Sequence, residues 1–159
     1  MSRITLTVRP VAAGDADELA KNLRPTDIRE IQSTSMAKPL LAIHRCIHRS
    51  QFCYTGLIDG KIAFIGGVTE TGYLSDKRSP WLLGTDVLEK NYVTFLRYCK
   101  FRMPYIIRYW PNLENYIDAR STTTIRWLKW LGFTIHEAEP YGILRRPFHR
   151  FTLKAGPDV

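Results

Sequence analysis

The stretch DARSTTTIRWLKWLGF, residues 118–133, decides how the chain reads. Asn115–Ala119 is a short β-favouring run, and Ser121–Leu131 carries Ile125, Leu128 and Leu131 at a three-residue spacing, which predicts a helix with those three side chains against a sheet. Trp127 or Trp130 is expected to cover the sheet's edge. Gly132 ends the helix as a C′ glycine, and Phe133–His136 resumes an extended run. Residues 115–136 therefore predict a strand, a helix and a strand.

Outward toward the N-terminus the pattern repeats. Trp81-Leu82-Leu83 reads as a short buried strand, and Asp86 with Glu89 three positions on resembles a capping box opening a helix. In that helix Leu88, Tyr92, Phe95, Leu96, Cys99 and Met103 share one face and Pro104 bounds it, so Trp81–Leu83 and Asn115–Ala119 are expected to lie parallel. Phe52–Ile58 and Lys61–Thr69 flank Asp59-Gly60, a two-residue turn suited to positive φ, and predict a hairpin. Before it come a strand at Arg3–Val8, a short helix capped at Asp15, a helix opened by Pro25, and another over residues 39–49 with Leu40, Leu41, His44 and Ile47 at helical spacing. After Phe133–His136, Phe148–Leu153 supplies the last strand of an antiparallel pair. The expected fold is α/β (α+β), one domain over residues 1–159: a mixed, mostly antiparallel sheet with helices on both faces.

The 159 residues, 45% hydrophobic and 24% charged, suffice for one core without a metal or disulfide. Collagen, coiled coil and wholesale disorder are excluded. Cys46, Cys53 and Cys99 share no ligand spacing and are odd in number, so reduced, packed thiols are expected. No apolar run reaches membrane-helix length and MSRITLTVRP lacks a signal-peptide pattern, so neither membrane insertion nor signal-directed secretion is expected. His44 and His48 stand at i, i+4 without the glutamate of HExxH or an evident third ligand. A basic helix face, and no metal, is the expectation.

The element order, the opening TVRP and residues 118–133 together resemble the GNAT acetyltransferase superfamily, whose last crossover commonly reads Asn-x-x-Ala-x-x-Leu-Tyr-x-x-x-Gly-Phe. Here Ser121, Thr124, Trp127 and Leu128 stand at the Asn, Ala, Leu and Tyr positions, while Gly132-Phe133 matches. With Ile65-Gly66-Gly67 in the hairpin, NYIDARSTTTIRWLKWLGFTIHE and a final RFTL, the chain is similar to the tailed-phage and prophage branch, which includes an internal virion protein of short-tailed coliphages. The resemblance implies a virion or host-cytoplasmic setting, with other virion proteins as partners.

It also implies sites that this sequence alters. A GNAT enzyme holds the coenzyme A pyrophosphate on the amides of a glycine-rich loop at a helix N-terminus. Here only Leu83, Gly84, Thr85 and Asp86 stand at that step, and the Asp86 carboxylate would oppose the anion. Together with Ser121 they are the candidate cofactor residues. The tyrosine that would protonate the departing thiolate is replaced by Leu128, so a proton would have to come from Tyr92, Tyr98, Tyr116 or Tyr141. Glu70, Glu114 and Asp118 are the candidate bases. These departures predict a non-catalytic protein without a cofactor; the alternative is an N-acetyltransferase using acetyl-CoA in a remodelled loop.

The net charge of +8 is spread over the chain. Lys90, Arg97, Lys100, Arg102 and Arg108 form one acid-free stretch, and Arg145, Arg146, Arg150 and Lys154 another. They predict contact with an acidic surface, of which Lys90, Arg97, Lys100, Arg102, Arg145 and Arg146 are the candidate partner-binding residues. Non-specific, salt-dependent nucleic-acid binding is the further expectation.

Overall fold

The computed structural model describes residues 3–156. Its elements are β1 (Leu6–Pro10), α1 (Asp15–Lys21), α2 (Pro25–Ser35), α3 (Pro39–Arg49), β2 (Ser50–Ile58), β3 (Lys61–Glu70), β4 (Arg78–Gly84), α4 (Asp86–Lys90), α5 (Tyr92–Tyr109), β5 (Asn112–Asp118), α6 (Thr122–Trp130), β6 (Thr134–Tyr141) and β7 (Arg146–Lys154). They build one seven-stranded sheet, ordered β1-β2-β3-β4-β5-β7-β6, antiparallel throughout except between β4 and β5.

The hairpin forms as expected, with Asp59 and Gly60 at φ 48° and 79° turning β2 into β3. Adjacent residues then face opposite layers. Ile65 and Leu83 pack with Leu19, Leu23, Ile31 and Ile43 under α1, α2 and α3. Phe64 and Leu82 pack with Leu88, Phe95 and Leu96 under α4 and α5. A third cluster, around Leu113, Ile117, Phe133 and Phe151, lies beneath α5 and α6. Gly132, at φ 102°, closes α6: its N–H reaches the Lys129 carbonyl and that of Phe133 the Leu128 carbonyl, the paired bonds of a Schellman motif. The three cysteines are unpaired and half-buried, and burial pushes the Cys99 thiol up to about 12.

Several local expectations are corrected. Pro104 does not end its helix. It deprives the Lys100 carbonyl of an intrahelical donor, yet Met103 just before it and Ile106 and Trp110 beyond it pack on the third cluster and carry α5 on to Tyr109. The predicted single helix breaks at Asn91, whose side chain bonds back to the Val87 carbonyl at 2.8 Å. Thr85, not Asp86, caps α4, its hydroxyl accepting from Val87 N–H at 3.3 Å. Asp15 is inside α1 rather than at its cap, because Arg9 and Thr55 hold its buried carboxylate. Strand β1 begins at Leu6, the first residue with a partner on β2. Leu40 and Leu41 are exposed and Ile43 is the core residue of α3. Ile125, Leu128 and Leu131 pack on the third cluster but are only half-buried.

Candidate functional site

β4 and β5 are joined at their beginnings and part at their ends. Their one backbone pairing is Arg78 with Leu113. Next along, side chains bridge the strands: the Ser79 hydroxyl donates to the Glu114 carbonyl and the Asn115 amide to the Pro80 carbonyl, both at 2.8 Å. Beyond these the strands splay toward Gly84 and Asp118. In open α/β sheets the carboxyl ends of strands flanking such a switch in direction are where ligands bind.

Helix α2 crosses this splay. Asp27 and Glu30, three residues apart and so on one helix face, reach its two walls. Asp27 accepts from the Gly84 N–H at 2.8 Å, and Glu30 from the Asp118 N–H at 3.0 Å and the Ser121 hydroxyl at 3.3 Å. The Gly84 carbonyl accepts from Arg24 N–H at 2.9 Å, and Leu23 forms an antiparallel bridge with Thr85. The exposed edge at the end of β4 is thus paired by the chain itself.

The Arg24 side chain, 4% exposed, passes between the layers. Its Nε and Nη2 grip Asp27 bidentately at 2.8 and 2.9 Å, its Nη1 lies 3.9 Å from Glu89 of α4, and its guanidinium lies 5.9 Å from the Trp127 ring centroid of α6. A Cβ added at Gly84 would stand 3.2 Å from Arg24 Nε and 2.6 Å from Leu88 Cδ2, so glycine is what admits this crossing.

The splay is also electrostatically unusual. Burial pushes the Glu30 carboxyl up to about 7; the Asp27 and Asp118 carboxylates act in the same direction, against the bonds from Asp118 N–H and Ser121. Asp118 is buried too, which opposes its ionisation, but the bidentate Arg120 outweighs that and holds it below the usual range.

The residues expected from sequence fall in different places. Of the candidate cofactor residues, Gly84 and Ser121 reach opposite walls of the splay, both bonded to α2, while Leu83 is paired within the sheet. Thr85 turns its hydroxyl to the Ile62 carbonyl at 2.9 Å, and Asp86 pairs with Lys90 at 2.8 Å. A groove of about 560 Å³ beside α4 has Glu18, Asp59 and Asp86 among its lining residues, against Lys61 and Lys90, a mixed setting for a pyrophosphate.

Of the candidate bases, Asp118 is at the splay. Glu114 is lower on β5, where burial is outweighed by Lys77 at 3.2 Å and Arg150 at 2.9 Å, so its carboxyl is held down. Glu70, exposed at the end of β3, bonds the Gln51 amide. Tyr116 stacks on Tyr141 with centroids 4.0 Å apart, and burial together with Glu139 pushes its phenol up. Arg97, Lys100 and Arg102 are on α5, whereas Arg145 and Arg146 belong to the exposed β6–β7 turn beside the end of α2, where Leu144 N–H reaches the Ser33 carbonyl. His44 and His48 are exposed, and among the described residues no three His, Cys, Asp or Glu side chains converge on a metal position.

Sequence reasoning missed Arg24, Asp27 and Glu30. Their spacing of i, i+3, i+6 was the available signal, but charge at that spacing ordinarily marks a solvated helix face.

No protein-family profile matches the sequence, and comparison with curated proteins finds no match. Solved structures are similar. A GNAT-family acetyltransferase from Streptococcus pneumoniae superposes with TM-score 0.64 at 15% identity, over 96% of this chain and all of that one. A Bacillus subtilis acetyltransferase in complex with CoA gives 0.65 at 12% identity, over 97% of this chain and all of that one. Spermidine N-acetyltransferase from Vibrio cholerae, in complex with CoA and spermine, gives 0.62 at 13%, over 94% and 95%. At such identities the likeness speaks to architecture, and the sheet order, the parallel β4–β5 step and the two helical layers agree with it: this chain has the fold of the GNAT acetyltransferases.

Proposed function

We propose that this is a non-catalytic GNAT-fold protein that works by association with an acidic partner. The observation that carries the reading is the closed splay. The pantetheine arm of CoA has amides that need partners in a dry cleft. Here Gly84 N–H, Gly84 C=O and Asp118 N–H are already bonded to α2 and its N-terminal flank. The missing glycine-rich loop and Leu128 at the tyrosine position support the same reading.

The partner surface is the outer layer. α5 and α6 hold Arg97, Lys100, Arg102, Arg108, Arg126 and Lys129 and no acid. The likeness of the sequence to the tailed-phage branch favours another virion protein as that partner, in the particle or the host cytoplasm. No helix among the described residues is long and apolar enough to cross a membrane.

Calorimetric titration with acetyl-CoA tests the reading. No saturable binding below about 1 mM is expected, and micromolar binding refutes it.

One observation favours a second reading, an acetyl-CoA-dependent N-acetyltransferase. Glu30, held near neutrality at the head of the splay, is poised as a general base ordinarily is. Turnover with a panel of amines, abolished by Glu30→Gln, would establish that reading.

A further inference from the structure

We infer that the groove between α5 and α6 docks an acidic protein segment carrying an aromatic or branched aliphatic anchor. This deepens the proposed function and rests on it. The groove encloses about 830 Å³. Arg97 projects from its α5 wall and Arg126 from its α6 wall; both are exposed, and among the described residues neither has a carboxylate within 4 Å. The one acid lining the groove, Glu89, lies toward Arg24. Two unneutralised guanidinium forks facing one cleft suit carboxylates, which they bind bidentately.

The rings favour a peptide over a nucleic acid. Tyr92 and Trp127 stack on each other, 7° from parallel at 6.1 Å, and Arg24 lies 5.9 Å from the same Trp127 ring. Lys100 Nζ lies 4.7 Å over Trp130, which remains half exposed. One face of Trp130, and the faces that Tyr92 and Trp127 turn to each other, are thus engaged by the protein's own groups, which leaves fewer platforms for bases, and single-stranded nucleic acid depends on such faces. Ring edges, Val93 and Leu96 remain as an apolar floor between the arginines, to which one inserted side chain adds the buried anchor that makes an interface tight. An acidic segment with such an anchor satisfies both features.

Fluorescence anisotropy with a panel of short labelled peptides tests this: glutamate-rich peptides with a central Phe, Leu or Ser, and the Phe peptide with every Glu replaced by Gln. The acidic Phe or Leu peptides should bind in the micromolar range. Substituting Ser for the anchor, Gln for the acids, or Arg97→Glu with Arg126→Glu in the protein should each weaken binding by at least about tenfold. The inference is overturned if no peptide binds below about 1 mM, if the folded double variant binds as tightly as the parent, or if oligothymidylate binds in preference and the double variant loses it. Titrating the same sample with acetyl-CoA separates the two levels. Failure of the peptides with acetyl-CoA also silent removes only the groove assignment, whereas micromolar acetyl-CoA binding removes the non-catalytic reading itself.

Discussion

Replacing Glu30 by glutamine keeps an oxygen that accepts from Asp118 N–H and Ser121 while removing the only carboxyl in the splay held near neutrality. The ordinary value of this carboxyl is 4.5 and burial in the fold lifts it to about 7. The folded protein therefore holds a proton there between those pH values that the unfolded chain has released. Stability from this source is complete below pH 4.5, falls as pH rises toward 7, and levels off above it. At 1.36 kcal/mol per pH unit the gap amounts to about 3 kcal/mol, an upper limit because the side chain is partly exposed. Urea unfolding of both proteins at a series of pH values reads the effect. Glu30→Gln should match the parent at pH 4 and exceed it at pH 8 by up to about 3 kcal/mol. A difference independent of pH between 4 and 8 would refute the assignment of Glu30 to a partly buried position beside Asp27 and Asp118.

Three further outcomes follow from the same geometry. Asp27→Ala strips the buried Arg24 of its bidentate partner and leaves Gly84 N–H without an acceptor, so denaturant titration should show a loss of about 3–5 kcal/mol, whereas loss below about 1 kcal/mol would mean that water replaces the carboxylate. Leu128→Ala should cost about 1–2 kcal/mol, less than the roughly 2–5 kcal/mol of a fully buried leucine, because the side chain is half-buried; a larger loss would show that Leu128 is fully enclosed in the third cluster in solution. On the proposed reading, reversing Arg97, Lys100 and Arg102 together should reduce capture of an acidic partner, read as incorporation into particles if that partner is a virion protein, while Asp86→Asn should leave it intact. Undiminished capture by the folded triple variant would remove the α5 face from the mechanism.

Local pattern alone determined much of this molecule. Asp59-Gly60 between two β-favouring runs specifies the hairpin, Gly132 specifies the end of α6, and Pro25 specifies the start of α2, because each acts through the conformation of its own few residues. The alternation of strands and amphipathic helices likewise implied the parallel β4–β5 step. Continuation of α5 through Pro104 was not legible, since the packing that offsets the lost hydrogen bond comes from β5 and β7. The same holds for the splay. Arg24, Asp27 and Glu30 spell a solvated stripe when α2 is considered by itself; only when β4 and β5 part beneath that helix are Arg24 and Asp27 buried as a pair, Asp27 and Glu30 bonded to backbone groups 57 and 88 positions away, and Glu30 shifted toward neutrality. Burial is a property of what surrounds a side chain, and for these three the surroundings are assembled from distant parts of the chain.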